Sequence, residues 1–197
     1  MKPIVVLLLA LFAVQTLQSQ NAPCVVPGRG YFRIHVGTGG LFGAFAHDHL
    51  IEAQKVEGCA TINANDLTRS SIKLTFPAAS VRVMDPNESA KDRATVQENM
   101  EKDVLRISDF PRIFFESTSL EPGAANQLKV HGKLTIRDKT QAVVIPLTIT
   151  RLSDGSYQAA GKYKFKQSSF GITPIQLAGG TIKVKDELET EFELFLK

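Results

Sequence analysis

Two histidines flanking an aspartate, His47-Asp48-His49, are the residues of this chain whose types and spacing are best suited to chemistry. In a strand, residues two apart point to the same face, so both imidazoles would lie together while Asp48 points away. The pair supplies two ligands for zinc, copper or haem iron, whose sites normally need a third. Counting along the strands gives Asp186 as the nearest acid on an inward register.

Three roles for His47 and His49 remain open from the sequence. Both rings could hydrogen-bond to backbone or water near the rim of a barrel. They could instead ligate a metal or haem, or contact the head group of a bound ligand. An unsatisfied buried ring nitrogen is costly, so each role gives the imidazoles a polar partner.

The sequence argues against an enzyme. It contains no Gly-x-Ser-x-Gly, no His-Glu-x-x-His and no phosphate-binding glycine loop. A histidine pair without a positioned nucleophile is not a catalytic constellation. We therefore predict a protein with no catalytic residues.

The elements that must position the histidines are strands. Apolar and polar residues alternate over 182–196, 128–136 and 157–165, which gives each segment one apolar face and one wet face. Long half-wet strands in series favour a sheet closed on itself, because closure removes exposed edges. We predict an all-β fold on this basis.

The periodicity changes once, after the fourth predicted strand. Ser89 and Asp92 have the spacing of a helix N-terminal box, and Val96, Met100 and Val104 follow as one apolar stripe. This pattern predicts one short helix over residues 89–104. Its stripe would pack against an end or side of the barrel, with docking of a partner protein as the alternative.

The first 20 residues are typical of an export signal. Lys2 precedes an apolar run from Ile4 to Val14, which is too short to span a bilayer, and a polar stretch follows. We therefore expect a signal peptide over 1–20, cleaved between Gln18 and Ala22, and a periplasmic or secreted domain over 24–197. We find no second apolar stretch long enough to span a membrane.

The two cysteines are consistent with export. Cys24 and Cys59 are the only cysteines, so in an oxidising compartment a disulfide is expected, with two free thiols as the alternative. Cys59 falls on the outward register of its strand, so the bond would hold the N-terminal segment against the outside of the sheet.

The net charge of +3 comes from basic and acidic residues dispersed along the chain. This distribution gives no electrostatic case for binding nucleic acid.

Four stretches in order carry a family resemblance: Lys91-Asp92-Arg93, residues 109–117 (DFPRIFFES), residues 130–140 (VHGKLTIRDKT) and residues 169–172 (SFGI). Their order and spacing resemble the YceI-like family of exported, lipocalin-like barrels, over nearly the whole chain after residue 31. The resemblance implies an eight-stranded antiparallel up-and-down barrel with an apolar cavity for a polyisoprenoid or similar lipid. The chain departs from the family pattern at residues 46–51, around the histidines.

The inward registers then name the residues expected to line the cavity and bind the lipid. They are Phe32, Ile34, Phe45, Ile72, Leu74, Phe76, Phe115, Leu134, Val143, Ile145, Leu147, Tyr163, Phe165, Phe192 and Leu194. No cofactor is expected beyond a bound isoprenoid lipid. Two alternatives stay open: a metal- or haem-binding periplasmic protein that uses His47 and His49, and a ligand-free structural or stress-protective domain.

Overall fold

The structure is a computed structural model that describes residues 22–39, 48–86, 88–124, 127–177 and 181–197. Its elements in chain order are β1 Val25–Val36, β2 Thr38–Gly39, β3 His49–Ala53, β4 Glu57–Thr61, β5 Ser71–Pro77, β6 Val81–Val83, α1 Ala90–Asn99, β7 Arg112–Pro122, β8 Gln127–Ile136, β9 Lys139–Arg151, β10 Tyr157–Lys166, β11 Gln176–Leu177, β12 Ile182–Val184 and β13 Glu187–Leu196. The predicted signal peptide lies outside the described residues.

The main sheet is antiparallel and runs β4-β5-β7-β8-β9-β10-β13-β1-β3-β6. Two pairs of these strands are halves of longer ones. Residues 54–56 interrupt the strand formed by β3 and β4, and the 3₁₀ turn Ala78–Ser80 interrupts the strand formed by β5 and β6. Across both interruptions the two long strands stay paired, since Ile51 faces Val83 and Cys59 faces Lys73. Counted this way, the main sheet contains eight long strands in the described part of the chain.

Each of these long strands has a neighbour on both sides, so the sheet closes into a barrel. The closing seam joins β1 to the β3–β4 strand. At one end, Val36 pairs with His49 and Arg33 with Glu52. At the other, Cys24 forms a β-bridge to Cys59, and the Ala60 amide donates to the Pro23 carbonyl at 2.8 Å. The predicted all-β barrel is confirmed.

A small sheet of β11, β12 and β2 extends the barrel at the end where β1 finishes. It forms because Gly37 alone separates β1 from β2, while Lys185 and Asp186 separate β12 from β13. The alternating segment 182–196, predicted as strand, is thus two strands.

The predicted helix is also confirmed. The Ser89 hydroxyl accepts from the Asp92 amide at 3.1 Å and donates to its carboxylate at 2.7 Å, which caps the first turn. α1 continues into the π-helical segment Met100–Leu105. Met100 is buried, and Val104 packs against the same core cluster, so the stripe faces the barrel. No helix in the described ranges is long and apolar enough to cross a membrane.

Close backbone approach inside the wall depends on Gly132 of β8. A Cβ atom at this position would lie 2.6 Å from the Phe115 ring and 2.7 Å from the Glu116 carbonyl oxygen. The ring therefore occupies the space that any side chain at this position would need. This aromatic contact fills part of the interior at the level of β7 and β8.

The disulfide between Cys24 and Cys59 is present, as predicted, with Cys59 on the exposed outer face. Lys197 exchanges both backbone hydrogen bonds with Cys24, each 2.9 Å long. The N-terminal segment is therefore held by the last residue of the chain on one side and by β4 on the other.

We expect the double variant Cys24→Ser/Cys59→Ser to lose about 4 kcal/mol of unfolding free energy. The bond closes a loop with a sequence separation of 35, and cross-linking a loop of this size constrains the unfolded chain. Urea unfolding followed by far-ultraviolet circular dichroism measures the loss. Reduced wild-type protein is the control and should match the variant. A loss below about 1 kcal/mol in both samples would show that the seam does not need the bond.

Candidate functional site

The barrel encloses a cavity of about 300 Å³ with an almost wholly apolar lining. Five alternate residues of β13, from Leu188 to Leu196, line it. At about 3.4 Å per residue, that span covers about 27 Å of strand. A volume of about 300 Å³ spread along that span makes the cavity long and slender.

Thirteen of the fifteen predicted lining residues line this cavity. They are Phe32, Ile34, Ile72, Leu74, Phe76, Phe115, Leu134, Ile145, Leu147, Tyr163, Phe165, Phe192 and Leu194. Phe45 lies outside the described residues. Val143 is 5% exposed and belongs to the core cluster, but it does not line the cavity. It pairs with Gly132, where the Phe115 ring fills the adjacent space. A role for these residues in lipid binding stays a prediction.

Part of the lining comes from the helical region, which the alternation of strand residues could not reveal. Val96, Asn99, Met100 and Val104 all reach the cavity. The apolar spacing of Val96, Met100 and Val104 was visible in the sequence and indicated a packed helix. That the helix covers a hollow, rather than a filled core, depends on the summed side-chain volumes inside the barrel.

Few polar side chains lie in the lining, and most of them are hydrogen-bonded to the protein. The Thr190 hydroxyl donates to the Tyr163 carbonyl at 3.0 Å, and the Gln167 amide donates to the Lys185 carbonyl at 2.8 Å. Burial raises the pKa of the Tyr163 phenol, so its hydroxyl stays protonated at neutral pH. The lining therefore presents few polar groups to a ligand in the cavity.

His49 is the one imidazole that lines the cavity in the described part of the chain. Its Nδ1 lies 2.7 Å from Asp85 Oδ2 and 3.7 Å from Glu88 Oε1. The Asp85 side chain is 8% exposed, the Glu88 side chain 13% and the His49 side chain 19%. A histidine with two largely buried carboxylates therefore sits in the barrel wall.

The partners of His49 differ from those expected. Asp186, counted as the nearest inward acid, instead accepts hydrogen bonds from the Ser168 amide and hydroxyl at 2.8 and 2.6 Å. These bonds lower the pKa of the Asp186 carboxyl. Asp48 points away as predicted and accepts from the Thr38 amide at 2.8 Å. His47 lies outside the described residues, so the predicted histidine pair stays a prediction.

Asp85 and Glu88 were missed because no local pattern marks them. They lie in the turn between β6 and α1, 36 and 39 positions after His49. Only the pairing of β3 with β6 brings that turn beside the histidine. A sequence with a turn-forming Asp-Pro dipeptide gives no sign that the aspartate is also buried.

Solved structures share this architecture. BcnA of Burkholderia cenocepacia superposes with a TM-score of 0.70 at 19% identity, covering 88% of this chain and 99% of that one. A polyisoprenoid-binding domain from Saccharophagus degradans superposes at 0.64 with 11% identity, covering 89% and 98%. A Campylobacter jejuni YceI protein superposes at 0.57 with 16% identity, covering 75% and 84%. No curated protein sequence matches the chain.

The family model described as YceI-like domain matches residues 35–196. The match begins within β1 and ends at the last residue of β13, so it takes in nearly the entire barrel, including the turn that holds Asp85 and Glu88. It covers well over half of the chain. The resemblance drawn from the four sequence stretches is confirmed, and this chain belongs to the YceI-like family.

Proposed function

We propose that this protein binds a long apolar lipid of the polyisoprenoid class inside its barrel. The observation that carries the proposal is the slender cavity of about 300 Å³, whose lining is apolar along its length. A volume of this size lies at the lower end of ligand-binding pockets in proteins. A barrel of eight strands is just wide enough to hold one slim ligand.

The driving force is removal of the chain from water. Each buried methylene contributes about 0.8 kcal/mol, so ten of them contribute about 8 kcal/mol. Association costs from about 4 to over 15 kcal/mol, so a chain of this length offsets the lower part of that range. Longer chains bind more tightly until the cavity is full. The mechanism selects ligands by length and width, and it needs no catalytic group.

Two further observations support the proposal. The Saccharophagus degradans neighbour is described as a polyisoprenoid-binding domain, and its fold matches this one over 98% of its length. The polar side chains in the lining that could bond water are largely bonded to the protein instead. An apolar cavity with few polar side chains offers water few partners and favours hydrocarbon.

We further propose that the protein is exported and works in an oxidising compartment, periplasmic or extracellular. The apolar run from Ile4 to Val14 after Lys2 supports a cleaved signal peptide. The Cys24–Cys59 disulfide supports the same destination, because such bonds persist where thiols are not kept reduced. A lipid carrier in that space would shield an insoluble chain from water.

Lipid retention should be abolished by Ile145→Asp and left unchanged by Val144→Asp. The two residues are neighbours on β9, but Ile145 lines the cavity whereas Val144 is 43% exposed on the outer face. A carboxylate at position 145 places an unpaired charge in the hydrocarbon path. Solvent extraction of each purified variant, followed by mass spectrometry, measures retained lipid.

If Ile145→Asp prevents folding, Ile145→Phe gives the same test, because the added ring narrows the cavity without a charge. Circular dichroism confirms that each variant is folded. Folded position-145 variants that carry as much lipid as Val144→Asp would contradict binding inside the barrel.

The export proposal predicts that the protein recovered from the periplasm or medium lacks its first residues. Intact mass spectrometry should show cleavage between Gln18 and Ala22, together with the loss of two hydrogens that the disulfide requires. Replacing Leu8 and Leu9 with arginine interrupts the apolar run and should leave the uncleaved chain inside the cell. Full-length protein with free thiols in the exported fraction would contradict export by a cleaved signal.

A further inference from the structure

We propose that His49, Asp85 and Glu88 form a binding site for one divalent transition-metal ion in the barrel wall. This site borders the apolar cavity through His49, and the proposal does not rest on lipid binding. Its three donor atoms, one imidazole nitrogen and two carboxylate oxygens, all lie within 4.8 Å of one another.

The distances already approach those of a coordination shell. Zinc binds nitrogen and carboxylate oxygen at about 2.0–2.2 Å, which places tetrahedral ligands about 3.4 Å apart. The His49 Nδ1 atom lies 2.7 Å from Asp85 Oδ2 and 3.7 Å from Glu88 Oε1, on either side of that value. Side-chain movements of about 1 Å bring the three donors to this separation around one ion, which Nδ1 ligates in its unprotonated form.

Glu88 supplies the independent sign of a missing positive partner. Its Oε2 atom is wholly buried and meets no hydrogen-bond donor among the described residues. A buried carboxylate oxygen without a partner is costly, so such atoms are paired or coordinate metals. The nearby Arg93 guanidinium donates through Nη1 to the Asp85 and Glu88 carbonyls at 3.0 and 2.6 Å, and it forms no hydrogen bond with this oxygen.

The scaffold holds the donors in place from two elements. On β3, the Leu50 amide donates to Asp85 Oδ1 at 2.6 Å, which leaves Oδ2 facing His49. On the helix side, Arg93 ties the carbonyls of Asp85 and Glu88 to the first turn of α1. Ligands fixed by backbone contacts on two rigid elements are preorganised for an ion.

The donor set indicates which ions the site would take. A mixed imidazole and carboxylate set suits zinc, manganese, iron or cobalt, whereas calcium prefers six to eight oxygen ligands. Both cysteines are joined in the disulfide, so no thiolate competes for the ion. Because His49 also lines the cavity, an ion at this site would lie at the cavity wall.

Zinc binding to untagged, chelator-treated protein tests the proposal. We expect one equivalent by elemental analysis after dialysis, with affinity measured by competition against a chromophoric chelator. Glu88→Gln and His49→Gln should each weaken binding by about 10-fold or more. His131→Gln is the matched control: His131 Nε2 lies 3.3 Å from Glu121, and this imidazole–carboxylate pair has no second carboxylate beside it among the described residues, so its loss should leave zinc affinity unchanged.

Zinc should also raise the melting temperature of the wild type and of His131→Gln, but not of Glu88→Gln. If His49→Gln does not fold, Glu88→Gln decides the matter, because it keeps the side-chain volume and removes only the charge. The proposal is overturned if the wild type retains no stoichiometric zinc, or if Glu88→Gln binds zinc as tightly as the wild type.

Discussion

Closure of the seam between β1 and the β3–β4 strand is the constraint on which the rest of the structure depends. Backbone pairing fixes one end through Val36 and His49, and the disulfide and β-bridge of Cys24 and Cys59 fix the other. Without this seam the sheet would have two free edges and the apolar lining would face water. With it, the apolar residues line an enclosed interior whose width is set by the number of strands. The cavity is thus a consequence of closure, and the ligand has to fit the space that closure leaves.

The seam also creates the polar cluster in the wall. β3 pairs with β1 on one edge and with β6 on the other, so the turn after β6 lies beside the start of β3. His49 therefore meets Asp85 and Glu88 at the end of the barrel opposite the disulfide. The two sites differ in chemistry: the cavity has an apolar lining, which we propose binds hydrocarbon by desolvation, whereas the cluster offers one imidazole and two carboxylates fixed by backbone hydrogen bonds. The inner face of the barrel supplies the cavity. The turn between β6 and α1 supplies Asp85 and Glu88, which complete the cluster with His49.

The sequence predicted the elements that depend on local periodicity. Alternation placed Leu74, Ile145 and Phe192 on the inner face, and the Ser89–Asp92 spacing marked the start of the helix. It did not predict the interruption at 78–80, where the lining passes from the even-numbered Leu74 and Phe76 to the odd-numbered Val81 and the alternation therefore changes phase. Nor did it predict the partners of His49, since Asp85 and Glu88 reach it only through long-range pairing of β3 with β6. Whether the barrel is hollow could not be predicted either, because a cavity is a difference between enclosed volume and summed side-chain volume.

Native mass spectrometry of the protein purified from its own host, followed by solvent extraction of the bound material, tests the central claim most directly. We expect a complex of one barrel with one apolar chain lipid, which is released by organic solvent and identified as an isoprenoid. A protein that carries only the mass of the bare polypeptide, and yields no lipid on extraction, would contradict it.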